Sequence, residues 1–140
     1  MADLDAKNVA VGVTEEYEDY DGTHHARVVA AVPSRIQTTT AVIADGGTNS
    51  AAIDCRGRVA THVLVPAGFE GTSLKPQGSF DGTNFFDIYE HDDTDASAVT
   101  LTVAASRIYA LPLSEMWGLP YVRFVADAQT GAATLTVALA

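Results

Sequence analysis

In residues 133–139, ATLTVAL, the apolar Leu135, Val137 and Leu139 alternate with Thr134 and Thr136. In an extended chain that spacing sends one set to a core and the other to water or a partner. Short runs rich in Val, Ile, Thr, Phe and Tyr recur along the chain, punctuated by Gly, Pro, Asp or Asn, and helical periodicity is nearly absent. Many short strands with frequent turn signals predict an all-β domain of the sandwich or barrel kind. Strands are expected at residues 9–13, 26–32, 40–43, 59–65, 73–80, 85–89, 98–103, 107–111, 121–126 and 133–139. THVLV, residues 61–65, is apolar on both faces apart from Thr61 and His62, which predicts a core strand, central in its sheet or covered on both sides. One helical turn is expected around LSEMWG, with Ser114 as its cap and Gly118 as its stop.

A chain of 140 residues is of single-domain size and buries roughly 68–70% of the surface it exposes when unfolded, so one core suffices without staples. Its single cysteine, Cys55, cannot form an internal disulfide, and a free thiol suits assembly in a reducing cytoplasm. No run approaches the roughly 20 apolar residues of a membrane span. The opening Met1, Ala2, Asp3, Leu4, Asp5 lacks the basic-then-apolar order of a signal peptide. Neither a membrane nor secretion is expected. The 8 basic and 18 acidic side chains give a formal net charge of -10, which repels a phosphate backbone, so nucleic acid is not an expected partner.

The acid is clustered, in Glu15, Glu16, Glu18, Asp19 and Asp21 and again in Glu90, Asp92, Asp93 and Asp95, both expected in turns. The first 48 residues differ from the rest: a charged segment, an Ala/Val run and a Thr triplet lead to DGGTNS, a corner-like sequence. The expected organisation is an N-terminal arm or extension with some strands over residues 1–48 and a sandwich body over 49–140, together one structural domain. An arm that extends from the body would reach a neighbouring subunit.

Candidate chemistry is sparse. In SFDGTNFF, Asp81-Gly82 supplies the positive φ of a tight connection and Asn84 closes the loop, which predicts a hairpin turn. EHDDTD offers oxygen ligands to calcium, yet the Gly at the sixth position and the Glu at the twelfth of an EF-hand loop are missing. His24, His25, His62 and His91 do not form the short-range pairs that zinc sites use. Cys55 in IDCRGR lacks the surroundings of a catalytic thiol and reads as a buried or half-buried strand-end residue. DGGT has neither phosphate-loop order. No catalytic, cofactor-binding or metal residue is expected, and no cofactor. Tyr17, Tyr20 and Trp117 are the aromatic residues expected outside regular strands, where each could anchor a protein interface, stack on a sugar, or pack at the rim of its own core.

The last two thirds of the chain carry AAID leading into RG, then VPAGFEGTSL, SFDGTNFFDIY, LTVAASRIYAL, YVRFV and a closing Thr/Val strand. With these elements the chain resembles small virion structural proteins of tailed bacteriophages. The resemblance implies a β-sandwich, jelly-roll-like, with an extended or partly separate N-terminal segment. It implies a non-enzymatic capsid decoration or cement protein, made in the host cytoplasm and placed in the virion on the outer surface of the head. It also implies homo-oligomers and the major capsid protein as partner. The N-terminal third does not match. A tail, baseplate or fibre-base structural protein is the nearest alternative, and a carbohydrate-binding β-sandwich module is the alternative from another class. An enzyme is the least supported, since the carboxylates cluster in loops rather than as paired groups in a cleft.

Overall fold

The computed structural model describes residues 15–18, 24–27, 36–91 and 97–140, the first two segments through their backbone. The strand expected at 9–13, most of that at 26–32, Tyr20 and residues 92–95 of the EHDDTD loop lie outside the described residues. The chain divides into two compact units, Met1–Ser34 and Arg35–Ala140.

In the first unit β1 (Glu15–Glu18) pairs antiparallel with β2 (His24–Arg27), with Glu15 opposite Arg27 and Tyr17 opposite His25. The acidic Glu15, Glu16 and Glu18, expected in a turn, thus form a strand.

The second unit contains β3 (Gln37–Ile43), β4 (Ile53–Asp54), β5 (Ala60–Val65), β6 (Ser73–Ser79), β7 (Phe86–Asp87), β8 (Leu101–Thr102), β9 (Arg107–Ala110), β10 (Tyr121–Ala126) and β11 (Ala133–Leu139), with one helix among the described residues, α1 (Leu113–Met116). Four antiparallel pairs, β3 with β11, β4 with β10, β5 with β9 and β6 with β7, nest one inside the next. Such a ribbon folds over on itself. Cross-pairs β11–β5 and β10–β6 then fuse it into two sheets, ordered β3-β11-β5-β9 and β4-β10-β6-β7, with β8 on β6. Eight strands wound this way form a jelly-roll sandwich, the fold class expected.

The boundary expected at residue 48 moves. β3 lies fully inside the body, with Ala41 and Ile43 buried and its whole length paired to β11, so residues 37–48 belong to the sandwich. Thr39, Ala41 and Ile43 turn to the core and Thr38, Thr40 and Val42 turn outward.

Between the sheets, Ile43, Val63, Val65, Leu135 and Val137 of one face Ile53, Leu74, Val122 and Phe124 of the other. Pro76 sits in the middle of β6, where a proline would ordinarily break the ladder. It is opposite Phe124, and Phe124 turns its own N–H and C=O the other way, to Ser50 Oγ and the Ser50 N–H. The nitrogen of Pro76 therefore faces away from β10, into the gap between β7, which pairs residues 77 and 78, and β8, which pairs 73 and 74. No ladder bond is needed there.

β5 is central, between β11 and β9, as expected, with Val63 and Val65 in the core; only its inner face is covered, and His62 and Leu64, past a bulge opposite Ala138/Leu139, point outward. Two expectations are corrected locally. Ser114 does not cap α1. Pro112 holds the cap position, and the Ser114 hydroxyl instead bonds the Glu115 carboxylate. Gly118, at φ 84, follows the helix end as its stop. The strands expected at 85–89 and 98–103 shorten to β7 and β8 plus a bridge between Tyr89 and Ala98.

The SFDGTNFF turn forms as expected. Gly82 adopts φ 77, and Ser79 Oγ accepts its N–H at 2.9 Å. Asp81 accepts the N–H groups of Thr83 and Asn84, each at 2.8 Å, and the Asn84 side chain at 2.8 Å. These donors, the Asn84 N–H first, hold the Asp81 carboxyl far below the usual carboxylate range.

Candidate functional site

The two sheets present outer faces of opposite character. On the β4-β10-β6-β7 sheet, Lys75 bonds Asp87 at 3.0 Å, Gln77 donates to Asp87 at 2.7 Å, and Arg123 donates to Gln77 at 2.8 Å while lying over the Phe85 ring. Arg56 makes a forked pair with Asp54 and stands over Tyr121. The Gln77 amide and then Lys75 hold Asp87 below the usual carboxylate range, and Arg56 does the same for Asp54. Both carboxylates favour the folded state above about pH 4 and lose that contribution as acid protonates them. This face satisfies itself.

The β3-β11-β5-β9 sheet turns outward two complete rows, Thr40, Thr136, Leu64, Ile108 and Thr38, Ala138, His62, Ala110, with Val42 beside Thr134 at one end. None of these positions is Asp, Glu, Lys or Arg. Ile108 is 67% exposed and Leu64 39%.

At one edge of the sandwich the turn after β4 and the segment after α1 form an open, mainly apolar groove of about 590 Å³. Cys55, Arg58, Trp117, Leu119 and Ala140 line it. Backbone bonds fix both walls: the Cys55 N–H donates to Pro120 O at 2.8 Å, and Val59 and Ala140 exchange bonds of 2.8 and 2.9 Å. Arg58 is held over the rim by a hydrogen bond to Gln37 Oε1. Trp117, at the C-terminal end of α1, is 77% exposed.

Cys55 is buried directly after β4, as the sequence predicts, with its thiol 3.8 Å from Ile53 O. Burial, with the Asp54 carboxylate, pushes the thiol up to about 11. A thiol whose proton is held more tightly folded than unfolded favours the fold at neutral pH and loses that contribution as pH rises from about 8.5 toward its folded value. In the native protein at about pH 8, alkylation of Cys55 is expected to be slower than that of a free thiol by orders of magnitude, and to reach the free rate in denaturant. Mass spectrometry of iodoacetamide-treated protein checks this; rapid native labelling would contradict it.

Of the three aromatic residues singled out from sequence, Trp117 stands on the groove, Tyr17 lies in β1, and Tyr20 is outside the described residues. Phe80 and Phe86, 83% and 70% exposed, flank a second small apolar depression beside the β6–β7 turn. Leu119 borders both depressions, with Trp117 on the first and Phe80 and Phe86 on the second. Sequence reading missed the two phenylalanines because strict alternation assigns one of Ser79 and Phe80 to the interior. The buried one is Ser79, whose hydroxyl the turn requires; the Ser-x-Asp-Gly pattern carries that signal.

Among the described residues no group of three His, Cys, Asp or Glu side chains is placed to hold a metal, and no helix is long and apolar enough to cross a membrane. No protein-family model, curated protein or solved structure matches the chain.

Proposed function

We propose that this chain is a non-enzymatic structural protein of a tailed-phage virion, a decoration or cement subunit that binds and stabilises the outside of the head shell through the major capsid protein. The observation that carries the reading is the exposure of three large rings. Phe80, Phe86 and Trp117 are left in water by an acidic sandwich, on two depressions that share Leu119, and aromatic side chains are enriched where protein interfaces form. Sheet sandwiches present such surfaces rigidly, and many weak contacts on a repeating lattice add up. Acidic subunits stay soluble before they dock and keep away from packaged genome. Cryo-EM of the assembled phage particle tests the assignment. Density on the outer head is the expected result; density confined to tail, baseplate or fibre base moves the chain there, and its absence from the particle ends the virion reading.

One observation favours a second reading. Trp117 projects at the rim of a half-open groove beside Arg58, a geometry that suits stacking on a sugar ring. A glycan array separates the two: specific binding abolished by Trp117→Ala supports a carbohydrate-binding module, and silence across the array removes it.

A further inference from the structure

We infer that the uncharged outer face of the β3-β11-β5-β9 sheet is where a second copy of this chain docks, face to face about a two-fold axis. The inference rests on the assembly reading above and names a partner and a surface for it.

Charge selects the occupant. The chain carries a formal net charge of -10, so two copies repel wherever they meet through acidic surface. A basic partner would be drawn to the acids and gain nothing from a neutral face. The outward rows from Thr38 to Ala110 and from Thr40 to Ile108 hold no charged residue, which makes this sheet face a surface that two like-charged chains can bring together without opposing side chains of one sign. The opposite sheet is laced by Lys75, Asp87, Arg123 and Arg56, and stripping water from that network would cost more than a contact returns.

The symmetry follows. A face that meets its own copy about a two-fold does so isologously, residue i of one copy contacting j of the other and j contacting i, and the contact closes at two chains instead of growing into a fibre. Aligned sheets stack about 10 Å apart with their side chains interleaved. Leu64 and Ile108, adjacent across β5 and β9, supply an apolar patch toward the β9 edge, and the threonines of β3 and β11 beside it keep the face soluble in the free chain.

Size sets the strength. Four strands spaced about 4.8 Å apart and outward residues over about 20 Å of strand give a footprint of roughly 400 Å² per copy. A standard interface buries about 800 Å² per partner. The dimer is therefore of the weak, concentration-dependent kind, suited to reinforcing neighbours already held on a lattice.

Sedimentation of the full chain from about 1 µM to about 1 mM tests this, over the range where contacts of this size associate. The mass is expected to rise from one chain toward two, and added salt is expected to strengthen the association by screening the repulsion between acidic copies. Leu64→Asp and Ile108→Asp should each weaken it at least tenfold. Thr83→Asp, which adds the same charge in the β6–β7 turn, should not. Ile108→Asp changes a side chain that is mostly in water, so its circular dichroism and thermal midpoint should match the parent even if Leu64→Asp proves less stable. A parent chain that stays monomeric throughout overturns the inference, as does a dimer that neither variant weakens or that salt dissolves. A monomer that still binds phage heads overturns the dimer alone and leaves the virion reading standing.

Discussion

Phe124→Ala is expected to lower the unfolding free energy by about 3–5 kcal/mol, the range for deleting a fully buried phenylalanine. Phe124 is the largest fully buried side chain of the sandwich, on β10 between β4 and β6. Its backbone is also held, through Ser50 Oγ at 2.9 Å and the Ser50 N–H at 2.8 Å, so the site cannot collapse readily onto the missing ring. A small domain holds only about 5–15 kcal/mol in total, and the variant should sit close to the edge of folding. Urea titration should show a lower midpoint with an unchanged slope. A loss under about 1 kcal/mol would mean that the ring does not fill the core as described.

The second large effect is expected at a polar residue. Gln129 is 2% exposed. Its side-chain amide donates to Glu70 O at 2.7 Å and Asp127 O at 2.8 Å, and its Oε1 accepts the Glu70 N–H at 2.9 Å. The backbone of the same residue exchanges bonds with Gly46 and Gly47, so one glutamine ties three loops at one end of the sandwich. Gln129→Glu keeps the shape but sets a carboxylate oxygen against two carbonyls. The expected loss is about 2–3 kcal/mol at neutral pH, since each buried group left unpaired costs roughly 1–3 kcal/mol. Protonation restores a donor, so the variant should regain stability as pH falls, measured against the parent at each pH. An equal deficit at pH 7 and under acid would contradict the role assigned to the amide.

How much of this is legible in the sequence depends on distance along the chain. Alternation at Leu135, Val137 and Leu139 identifies the buried face of β11 directly, because period two is a local property. The Asp81-Gly82 turn is legible for the same reason. Strand order is not local: β3 meets β11 across nearly the whole body, and nothing in TTTAVI names its partner. β4 consists of Ile53 and Asp54 alone, too short for any period to register. THVLV is apolar in both phases, so which face lies open shows only in the sheet, where Val63 and Val65 turn inward and His62 and Leu64 outward. The uncharged face escapes sequence reading altogether. Each of its strands contributes only two or three ordinary Thr, Ala, Val, Leu, Ile or His positions, and their common lack of Asp, Glu, Lys and Arg appears only once four distant segments lie side by side. The exposed rings are half legible, Trp117 from its place outside the strands and Phe80 only through the demand of the turn on Ser79.

The central claim is that this sandwich works by gripping a larger shell with its surface. Pelleting purified chain with empty heads of the phage tests it most directly. The account predicts saturable co-sedimentation at a fixed ratio to the capsid protein, lost when Phe80 and Phe86 are both replaced by Ser. A correctly folded chain that remains in the supernatant at every concentration would contradict it.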